Sequence, residues 1–212
     1  MIRSQIYSAG WRAIVALLTV EIAAVSVLRY FTSIEPPPPP ILANAYADPF
    51  LPIHVASSVV ALVLGPLQFV RRIRGRWPEF HRITGRLYVL GCAIGAPSGL
   101  VLALGTTAGP IVSVGFGIPA ILCAAFTWLG WRAAVERRFA AHRDWMLRSY
   151  MVIAVAITLR LLIPAAALLD FDFLAAYRVN SWLAWILNMA MVEYVIRRGR
   201  AAKAGYATLA PA

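Results

Sequence analysis

Six long apolar runs, joined by connections that are alternately rich and poor in arginine, dictate what this chain can become. A helix needs about 20 apolar residues to cross a hydrocarbon layer about 30 Å thick. Runs of that order lie near residues 11–31, 53–70, 84–104, 111–131, 145–168 and 181–196. Backbone polar groups find no partners in lipid, so a spanning segment must be a helix or a strand of a closed barrel. None of the runs shows the ten-residue alternation of a barrel strand. The sequence therefore predicts an all-α integral membrane bundle of six transmembrane helices, one domain covering residues 1–212. It includes an outer Pro-rich loop at 32–52 and a cytoplasmic tail at 197–212.

The charges choose an orientation. Arg3 and Arg12 precede the first run; Arg71, Arg72, Arg74, Arg76, Arg82 and Arg86 fill the second connection. Arg132, Arg137, Arg138, Arg143 and Arg148 fill the fourth, and Arg197, Arg198, Arg200 and Lys203 follow the last run. The intervening connections hold Glu35, Asp48, Asp170 and Asp172, with Arg178 their one basic residue. Positive charge that alternates with every crossing places both termini in the cytoplasm. The formal charge of +11 is thus accounted for by topology, and no nucleic-acid partner is needed. With 61% of residues apolar and 14% charged, a water-soluble enzyme is excluded.

Ala45-Tyr46-Ala47 has the look of a signal-cleavage site, but the preceding apolar run is long and ends well before it, so the first run reads as a retained helix. The five prolines Pro36–Pro40 predict a stiff polyproline II spacer. Pro119 and Pro164 are expected to kink or interrupt their helices, and Trp182 and Trp185 to form an aromatic belt on the outer side.

Each of the three histidines stands at the mouth of a run and heads a stripe at helical spacing. His81 is followed by Gly85, Tyr88, Cys92, Gly95 and Gly99; His54 by Ser58, Ala61, Gly65 and Gln68; His142 by Met146, Ser149, Ala156 and Arg160. Small-residue stripes let helices approach closely, and Gly91, Gly95 and Gly99 form two overlapping GxxxG steps. The same stripes would also leave room for a flat cofactor beside an imidazole. His81 and His142 share the inner depth, and each is followed directly by an arginine, Arg82 and Arg143. Two neutral imidazoles on facing helices are the usual axial pair of a b-type haem, with arginines for its propionates. The competing use is a pairing with a nearby carboxylate such as Glu79 or Asp144.

The segments His54-Val-Ala-Ser-Ser, Gly65-Pro-Leu-Gln68-Phe and His81-Arg-Ile-Thr-Gly85-Arg-Leu-Tyr88 resemble an uncharacterised bacterial family of multi-span membrane proteins, a domain of unknown function. Ala141-His142-Arg143-Asp144-Trp145-Met146-Leu147-Arg148-Ser149-Tyr150, Thr158-Leu159-Arg160 and Asn188 to Glu193 match it too, so the resemblance covers roughly residues 50–196. It implies a multi-pass protein of the bacterial inner membrane and no activity. More distantly, His54 to Gly99 resembles the last two histidine helices of cytochrome b561 proteins, which hold two b haems and pass electrons across a membrane. By that likeness His54 and His81 would each match a haem ligand. Two bis-histidine haems need four histidines, however, and this chain has three.

The leading expectation is therefore a membrane electron carrier with one b haem on His81 and His142, lined by Arg82, Arg143, Gly85 and Tyr88. Its partners would be the bilayer and a membrane redox partner or quinone. The alternative is a small-solute or lipid permease whose polar path runs through His54, Gln68, Glu21, Arg160 and Asn188, with an Arg160–Glu21 ion pair inside the membrane. A structural accessory subunit is the third class. Arg29 and Glu193 lie near enough to helix ends to snorkel. Cys92 and Cys123 read as small packing residues rather than a metal pair. No nucleotide-binding glycine loop, zinc motif or nucleophile elbow occurs in the sequence, so no hydrolase or transferase chemistry is indicated.

Overall fold

The computed structural model describes residues 2–32 and 39–209. These residues form helices and turns and contain no strand. In chain order the helices are α1 (Ile2–Phe31), α2 (Pro39–Leu42), α3 (Ala47–Gln68), α4 (Arg71–Arg76), α5 (Pro78–Leu104), α6 (Pro110–Val135), α7 (Phe139–Ile153), α8 (Val155–Leu168) and α9 (Phe173–Leu209). Five segments are long and apolar enough to cross a membrane: Ala47–Gln68, Pro78–Leu104, Pro110–Val135, Phe139–Leu168 and Phe173–Ala201. The run expected at 11–31 falls within α1.

Helix ends depart from the apolar runs for local reasons. Pro78 and Pro110 open α5 and α6 at their first position, where a fixed φ suits the helix and the missing N–H costs nothing. The Asp172 carboxylate accepts the Ala175 N–H at 2.9 Å and so starts α9 well before the apolar run at 181. Pro36–Pro38 lie outside the described residues; Pro39 and Pro40 open the short helix α2 instead of continuing a polyproline spacer. The expected interruptions at Pro119 and Pro164 are also corrected. Both prolines sit inside continuous helices, and the fifth crossing breaks at Ala154, between α7 and α8.

The bundle buries small apolar residues together with a set of polar ones and turns large apolar side chains outward. Ser149 is fully buried, and Ser181, Asn188 and Thr127 nearly so, while Leu17, Leu168 and Trp128 are well exposed. Small residues draw the helices together. α3 and α5 make the tightest pair: a Cβ at Gly91 would stand 2.8 Å from the Ser57 carbonyl oxygen, and one at Gly99 would stand 2.8 Å from the His54 ring. α3, α5, α6 and α7 then close a ring in which α5 packs on α3 and α6, and α7 also packs on α6 and α3. α5 and α7 are therefore the diagonal pair. α9 covers α6, α7 and α8, and α1 lies against α3 and α8.

Candidate functional site

The arginine-rich connections gather at one end of the bundle, where α4, the start of α5, the α6–α7 turn and the end of α9 meet. Asp144 on α7 accepts from Arg200 on α9 at 2.8 Å and lies 3.6 Å from Arg143. Arg148 holds Glu193 through two bonds, at 2.5 and 3.0 Å, and stacks over Trp145. Glu193 is thus an interhelical partner and not simply a snorkelling end group. In the α6–α7 turn Glu136 receives Arg132 and Arg138. Those two guanidiniums keep its exposed carboxyl below the usual carboxylate range.

His81 and His142 face this end from the two diagonal helices. The Nδ1–H of His142 donates to the Gly130 carbonyl on α6 at 2.8 Å. That bond fixes the tautomer and leaves Nε2 with a free lone pair. Asp144, the carboxylate that might have claimed His142, is committed to arginines. Gly130 allows the close approach, since the Met146 sulfur lies 2.5 Å from where a Cβ would be. The Nδ1 of His81 is buried and has no hydrogen-bond partner among the described residues. His142, Arg74 and Arg82 all lie within electrostatic range of the His81 ring. Arg82 and Arg143, the next residue along each helix, are exposed.

Seven residues further along each helix, about 10 Å at 1.5 Å per residue, a polar layer crosses the bundle. The Tyr88 hydroxyl shares a 2.8 Å hydrogen bond with Ser149, which shares another of 2.7 Å with Thr127. The free thiols of Cys92 and Cys123 are buried in the same cluster. No group of three or more His, Cys, Asp or Glu side chains is arranged to hold a metal ion among the described residues. Tyr88 and Gly85, both expected beside the histidines, are engaged with neighbours. A Cβ at Gly85 would stand 3.1 Å from the Gln68 amide oxygen. The Gln68 amide itself donates to Thr84 at 2.8 Å.

The residues of the supposed polar path fall into separate places. His54 donates through Nδ1 to the Gly95 carbonyl at 2.8 Å, at the far end of the bundle. Gln68 is at the arginine-rich end of the same helix. Asn188 accepts from Thr158 and donates to the Met151 carbonyl, both at 2.9 Å. Arg160 donates to Ser26 at 2.7 Å and to the Ala156 carbonyl at 3.1 Å. Glu21 is exposed and forms no ion pair with Arg160. Sequence reasoning had no means of finding Gly130 or Ser26, because each matters only through the helix opposite. Thr127 was equally hidden, although Ser149 on the His142 stripe pointed to its layer.

A chain whose described residues are all helices and turns, with oily walls and several membrane-length helices, is a multi-pass membrane protein. Residues 51–196, the greater part of the sequence, match the family described as "Predicted membrane protein (DUF2306)". The chain belongs to that family. No curated protein and no solved structure matches it.

Proposed function

We propose that the protein is a membrane electron carrier whose arginine-rich end would hold one b haem, with His81 and His142 as the residues that would bind its iron. The observation that carries this reading is the placement of these two imidazoles on diagonal helices of a four-helix ring, both at its arginine-rich end. Each ring is also prepared for ligation. His142 has its Nδ1–H tied to a backbone carbonyl, the outer-shell bond that orients a ligating imidazole and raises its basicity. His81 presents a buried ring nitrogen for which the described residues supply no partner.

The surrounding residues suit the same group. Exposed Arg82 would meet a propionate at the polar edge, and Arg143, now 3.6 Å from Asp144, would have to share its charge to meet the other. The Tyr88–Ser149–Thr127 layer closes the far side, and its hydroxyls satisfy one another without drawing on either histidine. When bound, the haem would supply one-electron transfer; the chain's part is to hold two neutral imidazoles and exclude water around them.

The test is the absorption spectrum of the purified protein expressed with ample haem. A Soret band and a sharp reduced alpha band are expected, and single His81→Ala and His142→Ala variants should lose the six-coordinate spectrum. A colourless wild-type protein would overturn the reading, as would variants whose spectra match it. The His54→Ala variant should keep the spectrum, because His54 lies at the opposite end, bonded to Gly95.

A further inference from the structure

The arginine-rich end has two halves that treat their charge differently. In the half built by the α6–α7 turn, α7 and α9, acids answer the arginines. Glu136 receives Arg132 and Arg138, Asp144 receives Arg200 and has Arg143 at 3.6 Å, and Glu193 holds Arg148. In the half built by α4 and the start of α5, Arg71, Arg72, Arg74, Arg76, Arg82 and Arg86 are all exposed. None of their guanidiniums makes an ion pair or hydrogen bond among the described residues. Glu79 is the one acid of that stretch, and it is exposed and makes no ion pair.

Packing does not account for α4. None of its residues is buried, and Gly75 has nothing within 4 Å of its missing Cβ. The helix joins two membrane-length helices, α3 and α5, which puts it at the boundary of the membrane. Six residues at 1.5 Å each span about 9 Å, no more than the Debye length of about 10 Å at 0.1 M salt. Its four arginines therefore act on a charged surface as one patch. Large apolar side chains are exposed in the same stretch: Val70, Trp77, Phe80 and Ile83. An open groove beside them is lined by Arg76, Trp77, Pro78, Glu79 and Phe80. A soluble acidic partner would answer the arginines and leave these side chains in water. An acidic lipid answers both, with its phosphate at the guanidiniums and its acyl chains at the rings.

We propose that α4 and the start of α5 hold acidic phospholipid from the adjoining leaflet. Arg71, Arg72, Arg74 and Arg76 bind the headgroup phosphates, and Trp77 and Phe80 seat the upper part of the acyl chains. A guanidinium can hold a phosphate through two parallel N–H bonds, and a basic cluster beside a spanning helix draws acidic lipid in preference to zwitterionic lipid. The other half of the same end has its own carboxylates against its arginines, so it competes poorly. The site shares no residue with the haem proposal, and its readout involves no colour.

A reporter on α4 tests this locally. Gly75→Cys in the full-length protein offers open space for a bimane label, and the native thiols Cys92 and Cys123 are buried. The labelled protein is placed in phosphatidylcholine nanodiscs. These hold a trace of phosphatidylglycerol or of phosphatidylcholine, each spin-labelled on its acyl chain near the glycerol. At equal trace concentration, quenching by the phosphatidylglycerol probe should be stronger by about threefold or more. Adding Arg72→Gln/Arg76→Gln should remove at least half of that preference. Adding Arg132→Gln/Arg138→Gln, an equal loss of charge in the other half, should preserve it. If the α4 pair does not fold, Arg71→Gln/Arg74→Gln is read in its place against the same criterion. Equal quenching by the two probes overturns the proposal. So does an equal loss in both variant pairs, which would make the preference a property of the net charge and not of α4.

Discussion

At the scale of single residues, a backbone carbonyl decides what a histidine can do. Gly130 presents its oxygen to His142 Nδ1–H, so the opposite nitrogen is free whatever fills the space beyond it. Asp144 is adjacent in the helix yet goes to Arg200 and Arg143. Glycine matters in a different way where helices touch. At Gly91 a Cβ would meet the Ser57 carbonyl oxygen at 2.8 Å, and backbone cannot swing aside as a side chain can. Gly91→Ala should therefore cost about 1–3 kcal/mol through overpacking. Gly75 on α4 has nothing within 4 Å of its missing Cβ. Gly75→Ala should be neutral or stabilise by up to about 1 kcal/mol through helix propensity. Denaturation midpoints of the detergent-solubilised variants distinguish the two; equal shifts would contradict the close α3–α5 contact.

At the scale of elements, the break between α7 and α8 shows how a membrane helix can be interrupted without proline. The Met151 carbonyl takes a hydrogen bond from the Asn188 side chain, and the Asn188 oxygen receives Thr158 from the next helix. One amide on α9 thereby ties both halves of the fifth crossing. Asn188→Leu should destabilise the protein by about 1 kcal/mol, near the range found for polar contacts between membrane helices. It should also raise protease or hydrogen-exchange accessibility around residues 151–158. Destabilisation without any local change would mean that Asn188 does not staple the break. Sequence alone pointed to Pro164, because proline is the visible helix breaker. In lipid a proline is accommodated when neighbouring groups satisfy the freed carbonyl, and the true break depends on a side chain from another helix.

At the scale of the whole molecule, apolar length and periodicity carried most of the fold. Of the six apolar runs, five fall on membrane-length helices and the run at 11–31 lies within α1; helical spacing already placed Ser149 with His142 and Tyr88 with His81. Which stripe faces which could not be read, since spacing along one helix contains nothing about the order of helices around the bundle. His54 against Gly95 and Gly99, Arg160 on Ser26 instead of Glu21, and His142 on Gly130 all belong to that unread part. Sidedness remains an expectation from the arginines and has its own check. In intact cells a membrane-impermeant maleimide should label Thr107→Cys, in the connection after α5, and spare Gly75→Cys on α4. Cys92 and Cys123 are buried and provide little background. The reverse pattern would turn the molecule over.

The central claim concerns two imidazoles and the group between them, and haem-to-protein stoichiometry addresses it most directly. Pyridine haemochrome assay of the purified protein, set against amino-acid analysis, should give about one b haem per chain, falling well below that in His142→Ala. A wild-type ratio near zero after expression with excess haem would contradict the claim, as would a His142→Ala ratio equal to wild type.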